Sequence, residues 1–187
     1  MIACAQAVLA AGGEVWVADE TALREFPPLR ASWSKRGEPA TVLISGRNPR
    51  RTILGALQVS SGELVRLVRE RCRTADVLAM VEELGQVRPE VPKVLIWDNA
   101  PAHMPLPVRQ TAAATNITIA FLPFRAPELM PLEELWRGLK DTVAANRCYP
   151  SLDELAARAL TWLDTIPEAE RLRRCGLQSS KYDWLPT

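Results

Sequence analysis

Histidine is almost absent from this chain of 187 residues, with His103 the sole example, and its four cysteines are scattered at positions 4, 72, 148 and 175. No Cys-x-x-Cys pair occurs, so neither a disulfide framework nor a zinc site is indicated, and a reducing cytosol is the expected home. Long apolar runs are missing too: none reaches the roughly 18 residues of a membrane span. The apolar opening, Met1 to Ala11, lacks the basic start of a signal peptide and is read as a helix ending at Gly12-Gly13. There is no internal repeat, low-complexity tract or coiled-coil heptad. A strong net charge is also lacking, at +1 overall.

The residues present describe a globular domain. At 48% hydrophobic, the chain can bury one substantial core. The small net charge conceals an asymmetry. Residues 24–73 hold eleven Lys/Arg against four acids, for +7, whereas the remainder carries twelve basic and eighteen acidic residues, for −6. A basic sector beside an acidic one suits a protein that grips a polyanion with one surface and holds cations with another; chance clustering on solvated faces gives the same count.

Pattern and punctuation give the elements. Glu14–Ala18 is β-branched and aromatic, a strand with Asp19 at its carboxyl end. Strands are expected over 40–44, 51–59 and 63–69, and an amphipathic helix over 74–84 with Thr74 as its cap. A strand over 93–97, a helix from Pro105 or Pro107 to Thr115, and a strand over 117–122 follow. Leu132, Leu135, Trp136, Leu139 and Val143 mark one face of a helix running to about Asn146. Ser151-Leu152-Asp153-Glu154 begins a last helix, and the tail after Pro167 reads as polar and basic. This order is that of a ribonuclease H-like α/β fold, a mixed sheet flanked by helices. It divides the chain into a helix end at 1–13, a catalytic domain at 14–147 and a C-terminal helix and tail at 148–187.

Asp98 ends the apolar run Val94–Trp97, Asp19 ends Val15–Ala18, and Glu133 opens a helix, with 34 residues between it and Asp98. Neighbouring parallel strands would bring the two aspartates together. Hard carboxylate oxygens in such a set suit Mg²⁺ or Mn²⁺, and two such ions serve phosphodiester chemistry. Glu133 is preferred to Glu134 on spacing. Taken singly, each acid has a structural alternative: a strand-end turn for Asp19, a helix-dipole partner for Glu133 and an Asx turn at Asp98-Asn99. His103, five residues past Asp98, is placed to orient that carboxylate or to meet a phosphate. Glu20 reads as an accessory acid. Trp33-Ser34-Lys35-Arg36-Gly37 mixes an aromatic with two cations, as a DNA-backbone contact would, though a capped turn with a buried Trp gives the same pattern; Arg47, Arg50 and Arg51 extend the basic set.

Three segments carry a family resemblance: Ala18-Asp19-Glu20-Thr21, Asp98-Asn99-Ala100-Pro101-Ala102-His103, and Leu122-Pro123 through Trp136. Together they resemble the DDE transposases of the mariner-type superfamily, particularly its bacterial insertion-sequence branch. In the third segment and just beyond it, Pro127, Leu129, Pro131, Leu132, Glu133, Trp136, Leu139 and Lys140 follow the family pattern in order. Met130 stands where the family usually has Asn, and Arg125-Ala126 replaces an aromatic-serine pair.

The resemblance covers roughly residues 5–165 and implies that Asp19, Asp98 and Glu133 are the catalytic and metal-binding triad for two Mg²⁺ or Mn²⁺ ions. It implies cleavage of double-stranded DNA at transposon ends and strand transfer into target DNA, at TA, by a homodimer in a synaptic complex near the nucleoid. Full-length relatives carry an end-reading helix-turn-helix region, and nothing of that kind precedes residue 14, so the chain is expected to be the catalytic part alone. The alternatives are a non-catalytic remnant that binds DNA or dimerises, and a nuclease of the same fold acting on hybrids or branched DNA.

Overall fold

The computed structural model describes residues 1–186 apart from 39, 40, 43 and 45. Five strands form one sheet: β1 (Glu14–Arg24), β2 (Arg50–Gln58), β3 (Leu64–Arg69), β4 (Lys93–Trp97) and β5 (Ile117–Phe121), in the order β3-β2-β1-β4-β5. β1, β2 and β3 run antiparallel as a meander, and β4 and β5 continue the sheet parallel to β1. The helices are α1 (Ile2–Ala10), α2 (Thr74–Gln86), α3 (Leu106–Ala114), α4 (Leu132–Leu139), α5 (Leu152–Thr165) and α6 (Glu168–Arg174).

The central strands are apolar on both sides because both sides are covered. Val15, Val17, Val94 and Ile96 meet α1, α4 and α5 through Ala5, Leu132, Leu135, Trp136, Leu155 and Leu163. Trp16, Ala18, Leu95 and Trp97 meet α2 and α3 through Val77, Met80, Val81, Leu84, Val108 and Ala112. Side chains alternate along a strand, so Asp19 belongs to the α4 face and Glu20 to the α2/α3 face.

The structure corrects several expectations. β1 does not stop before Asp19 but runs to Arg24, because its antiparallel pairing with β2 continues from Trp16↔Gln58 to Arg24↔Arg50 after the parallel pairing with β4 has ended at Val17↔Ile96. The strand expected over 40–44 falls partly outside the described residues, at 40 and 43, and Thr41, Val42 and Ile44 lie in no strand. The helix expected to run from 132 to 146 is α-helical only to Leu139 and continues as a π-helical turn over Lys140–Ala144. Thr74 is the first residue of α2 rather than its cap, and the Asp76 carboxylate accepts from the Arg73 amide at 2.9 Å.

The polar tail is also more than a tail. α6 buries Leu172, and Cys175, Tyr182 and Leu185 join the same core as β1 and α4. Ser151 caps α5 as its sequence suggests, accepting from the Glu154 amide at 3.1 Å.

One close approach sets the position of α4. A Cβ on Gly55, the β2 residue opposite Asp19, would lie 2.7 Å from the Trp136 ring. The indole therefore rests on bare backbone, three residues from Glu133 on the same helix. Gly55→Ala is expected to lower stability by about 1–3 kcal/mol through overpacking. The urea denaturation midpoint measures it, with an unchanged midpoint counting against a tight Gly55–Trp136 contact.

Candidate active site

The parallel register of β1 and β4 explains why the two aspartates meet. Two residues beyond the Val17↔Ile96 pair come Asp19 and Asp98, on the same face of the sheet and at the point where β4 ends. Glu133 is the second residue of α4, which Trp136 and Leu135 press onto that face. Asp19, Asp98 and Glu133 line one cleft of about 260 Å³, together with Asn99, Leu122, Phe124, Arg125 and Met130.

Negative charge in the cleft is least relieved at Asp19. Burial, then repulsion from Glu20, Glu133 and Asp98, pushes the Asp19 carboxyl well above the usual range. Its Oδ2 is buried and has no hydrogen-bond partner. A buried, unpartnered carboxylate oxygen facing two more carboxylates fits a hard divalent cation, which would supply the missing partner and offset the repulsion. Glu134 is engaged elsewhere, with Lys181 at 3.0 Å and Arg137 at 2.7 Å, and does not line the cleft.

Asp98 is held differently. Its Oδ1 accepts from His103 Nδ1 at 2.7 Å and from the Ala100 amide at 3.0 Å, which leaves the other oxygen to a ligand. The His103 hydrogen bond is the main reason the Asp98 carboxyl titrates below its ordinary value. His103 is wholly buried, stacked on Trp97 with ring centroids 4.1 Å apart. Of the two roles open to it in the sequence, contact with a DNA phosphate is thereby removed, since no surface of the ring is exposed. Asn99 ties the loop down from the other side, donating to the Leu122 carbonyl at 2.7 Å, and the Leu122 amide donates back to the Trp97 carbonyl at 2.8 Å.

Met130, the departure from the family pattern, is buried in the core. The turn into α4 is kept by its backbone, whose amide donates to the Pro127 carbonyl at 2.9 Å and whose carbonyl accepts from the Glu133 amide at 3.3 Å.

The basic residues that the sequence singles out lie outside the cleft. Arg24, Arg50, Arg51 and Arg71 surround a hollow where β1 ends and β2 begins, five residues along β1 from Asp19. Arg51 pairs there with Asp153, and Lys35 pairs with Glu38 on an exposed loop beside Arg36 and a fully exposed Trp33. Arg47 lies on the same exposed connection. On the cleft rim Phe124 is three-quarters exposed, with the Arg125 guanidinium 5.4 Å from its ring centre. Neither stands among the residues singled out by sequence, although the departure from the family pattern at Arg125-Ala126 is a signal.

A mixed five-stranded sheet with three carboxylates gathered at the end of its central parallel pair defines a ribonuclease H-like domain. The chain belongs to the DDE superfamily endonuclease family, whose profile matches residues 14–156. It is 29% identical over 128 residues to the uncharacterized protein y4pE/y4sA of Sinorhizobium fredii (strain NBRC 101917 / NGR234), covering 67% of this chain and 93% of that one. It is 22% identical over 154 residues to the insertion element IS630 uncharacterized 39 kDa protein of Shigella sonnei, covering 81% of this chain but 45% of the relative.

Among solved structures it resembles the Mos1 strand transfer complex, with a TM-score of 0.70 at 16% identity over 98% of this chain and 58% of that chain. The catalytic domain of Mos1 mariner transposase gives 0.61 at 13% identity, over 97% and 88%. At these identities the structural likeness is one of fold. The expected family and the expected ribonuclease H-like fold are both borne out. Among the described residues, no helix is long and apolar enough to cross a membrane.

The Asp98–His103 pair has a consequence for stability. Burial disfavours the charged imidazole, but interactions with Asp98, Cys72 and Glu20 outweigh it and raise the His103 pKa to about 11. Stability from the imidazolium is therefore complete below the ordinary histidine value and is lost as pH rises through the folded one. Cys175, whose thiol burial pushes up to about 12, acts in the same direction. The difference between wild type and His103→Gln is thus the measure: from about pH 7 to about pH 10 the unfolding free energy of the wild type should fall more steeply. Parallel pH profiles would exclude a charged His103.

Proposed function

We propose that this chain is the catalytic domain of a transposase that cleaves DNA at transposon ends and transfers the freed strand into target DNA, with Asp19, Asp98 and Glu133 as its metal-binding triad. The observation that carries the reading is the unpartnered, buried Oδ2 of Asp19 in a cleft shared with the other two carboxylates. The fold and family support it, and so do relatives described as an insertion-element protein and as Mos1 complexes with Mn and Mg. The chain spans about half the insertion-element protein and about three-fifths of the full Mos1 chains, so end recognition and synapsis between two copies are part of the proposal.

Asp19, Asp98 and Glu133 would together hold the divalent ions. Bound there, two such ions would supply activation of an attacking hydroxyl and stabilisation of the leaving oxygen of a phosphodiester. His103 fixes the Asp98 carboxylate, and Asn99 holds the loop that carries both. Phe124 and Arg125 offer a stacking face and a cation where a DNA strand would cross the rim. Arg24, Arg50, Arg51 and Arg71 neutralise phosphates farther along the duplex, while Lys35, Arg36 and Arg47 extend that surface.

The direct test is Mn²⁺-dependent nicking of supercoiled plasmid. Asp19→Asn, Asp98→Asn and Glu133→Gln are each expected to fall to background with the fold intact, and His103→Gln to lose about 10–100-fold. Full metal-dependent activity in any triad variant would refute the assignment. A wild type that neither nicks nor binds Mn²⁺ would leave a DNA-binding remnant.

The basic hollow makes a separate prediction. Replacing Arg24 and Arg50 together by alanine should weaken DNA binding at all sequences. The slope of log K against log salt should also become shallower, by about one for each phosphate that is no longer neutralised. An unchanged slope would place the DNA elsewhere.

A further inference from the structure

The spacing of histidine and cysteine in the sequence offers no metal motif, but folding creates one. Glu20 on β1, Cys72 in the turn between β3 and α2, and His103 beyond β4 converge on the face of the sheet opposite the cleft. One carboxylate oxygen, the Cys72 Sγ and one imidazole nitrogen lie within 4.8 Å of one another. His103 Nε2 and Glu20 Oε2 are both buried and face one another at 3.5 Å, a loose ion pair when the ring is charged, and neither atom has a closer hydrogen-bond partner. Buried polar atoms are seldom paired so loosely, and this pair beside a thiol marks a place for a third party. The other ring nitrogen, Nδ1, donates to Asp98 at 2.7 Å. Metal-bound histidines are commonly held in this way, with the second N–H on a carboxylate.

We propose that Glu20, Cys72 and His103 form a second metal site, selective for a thiophilic divalent ion such as Zn²⁺, which braces Asp98 from behind through His103. A sulfur, nitrogen and oxygen donor set suits zinc and excludes Mg²⁺, which takes hard oxygens. Three protein ligands leave a fourth position for water. The partial exposure of Glu20 and Cys72 gives the ion a way in. On binding, the ion replaces the thiol proton and any proton on Nε2, and both leave to solvent. The ring is then fixed with its remaining hydrogen on Nδ1, directed at Asp98. His103 is thus a positioning residue, and the ion takes no part in the reaction itself.

Co²⁺ added to the whole chain in excess Mg²⁺ tests this independently of nuclease activity. One Co²⁺ per chain should bind with thiolate-to-cobalt charge-transfer absorption in the near ultraviolet, and an equivalent of Zn²⁺ should bleach it. Cys72→Ser should abolish the band, whereas Cys4→Ser, Cys148→Ser and Glu133→Gln should keep it. In the unaltered protein, Zn²⁺ should slow alkylation of Cys72, read by peptide mass, a measurement that needs no variant to fold. No band in the wild type, a band surviving Cys72→Ser, or an unchanged rate of Cys72 alkylation would each overturn the proposal. A band kept in Glu133→Gln while nicking is lost would separate this site from the catalytic one.

Discussion

Asp19 sits on a strand whose preceding residues, Val15 to Ala18, are wholly buried, and its Oδ2 has no partner. An ionised carboxylate there is opposed by burial and by Glu20, Glu133 and Asp98 around it. Such a group persists only if the scaffold is stable enough to carry it, and the sheet supplies that stability. β1 is the central strand, paired antiparallel on one side and parallel on the other, with apolar helices on both faces. A bound cation would offset the charge locally, and the core around the strand offsets it globally.

The remaining site residues are secured by contacts specific to each. Asp98 lies where β4 has ended, so it lacks the ladder that steadies Asp19. His103, Ala100 and Asn99 replace that ladder with side-chain and turn hydrogen bonds. Glu133 is placed by a helix rather than a strand. The position of that helix follows from Trp136 lying against Gly55, the β2 residue paired with Asp19. The first and third carboxylates are therefore linked through β2 and the α4 indole. The bare backbone at position 55 is as much a part of the site as the acids are.

Much of this was legible in the sequence, because apolar runs ending in acids and a proline-started helix are local signals. Asp98, Glu133 and the cap at Ser151 needed only neighbours a few residues away. The continuation of β1 through Asp19 to Arg24 was not legible, since Asp19-Glu20-Thr21 reads as a strand end and the pairing that extends it comes from β2, some 30 residues on. Burial of His103 and the clustering of Glu20 with Cys72 depend on which face of the sheet each residue meets, and spacing along the chain carries no record of that. The C-terminal segment misled for a similar reason. Its basic residues stand out in the sequence, while Leu172, Cys175, Tyr182 and Leu185 reach the core singly, without a periodic stripe.

The alternation of β1 ties the two sides of the sheet together. Consecutive acids, Asp19 and Glu20, point to opposite faces, so one short motif serves two chemical environments. On the α4 side the partners are carboxylates, and the donor set suits hard oxygen chemistry. On the α2/α3 side they are an imidazole and a thiol, the ring stacked against Trp97 and both packed beside the second core. Asp98 is touched from both directions, because its loop wraps the end of β4 and carries His103 from one face to the other. The shortest link from the thiol side to the cleft is the 2.7 Å hydrogen bond from His103 to Asp98. That bond holds the carboxylate more firmly the more completely the imidazole ring is fixed.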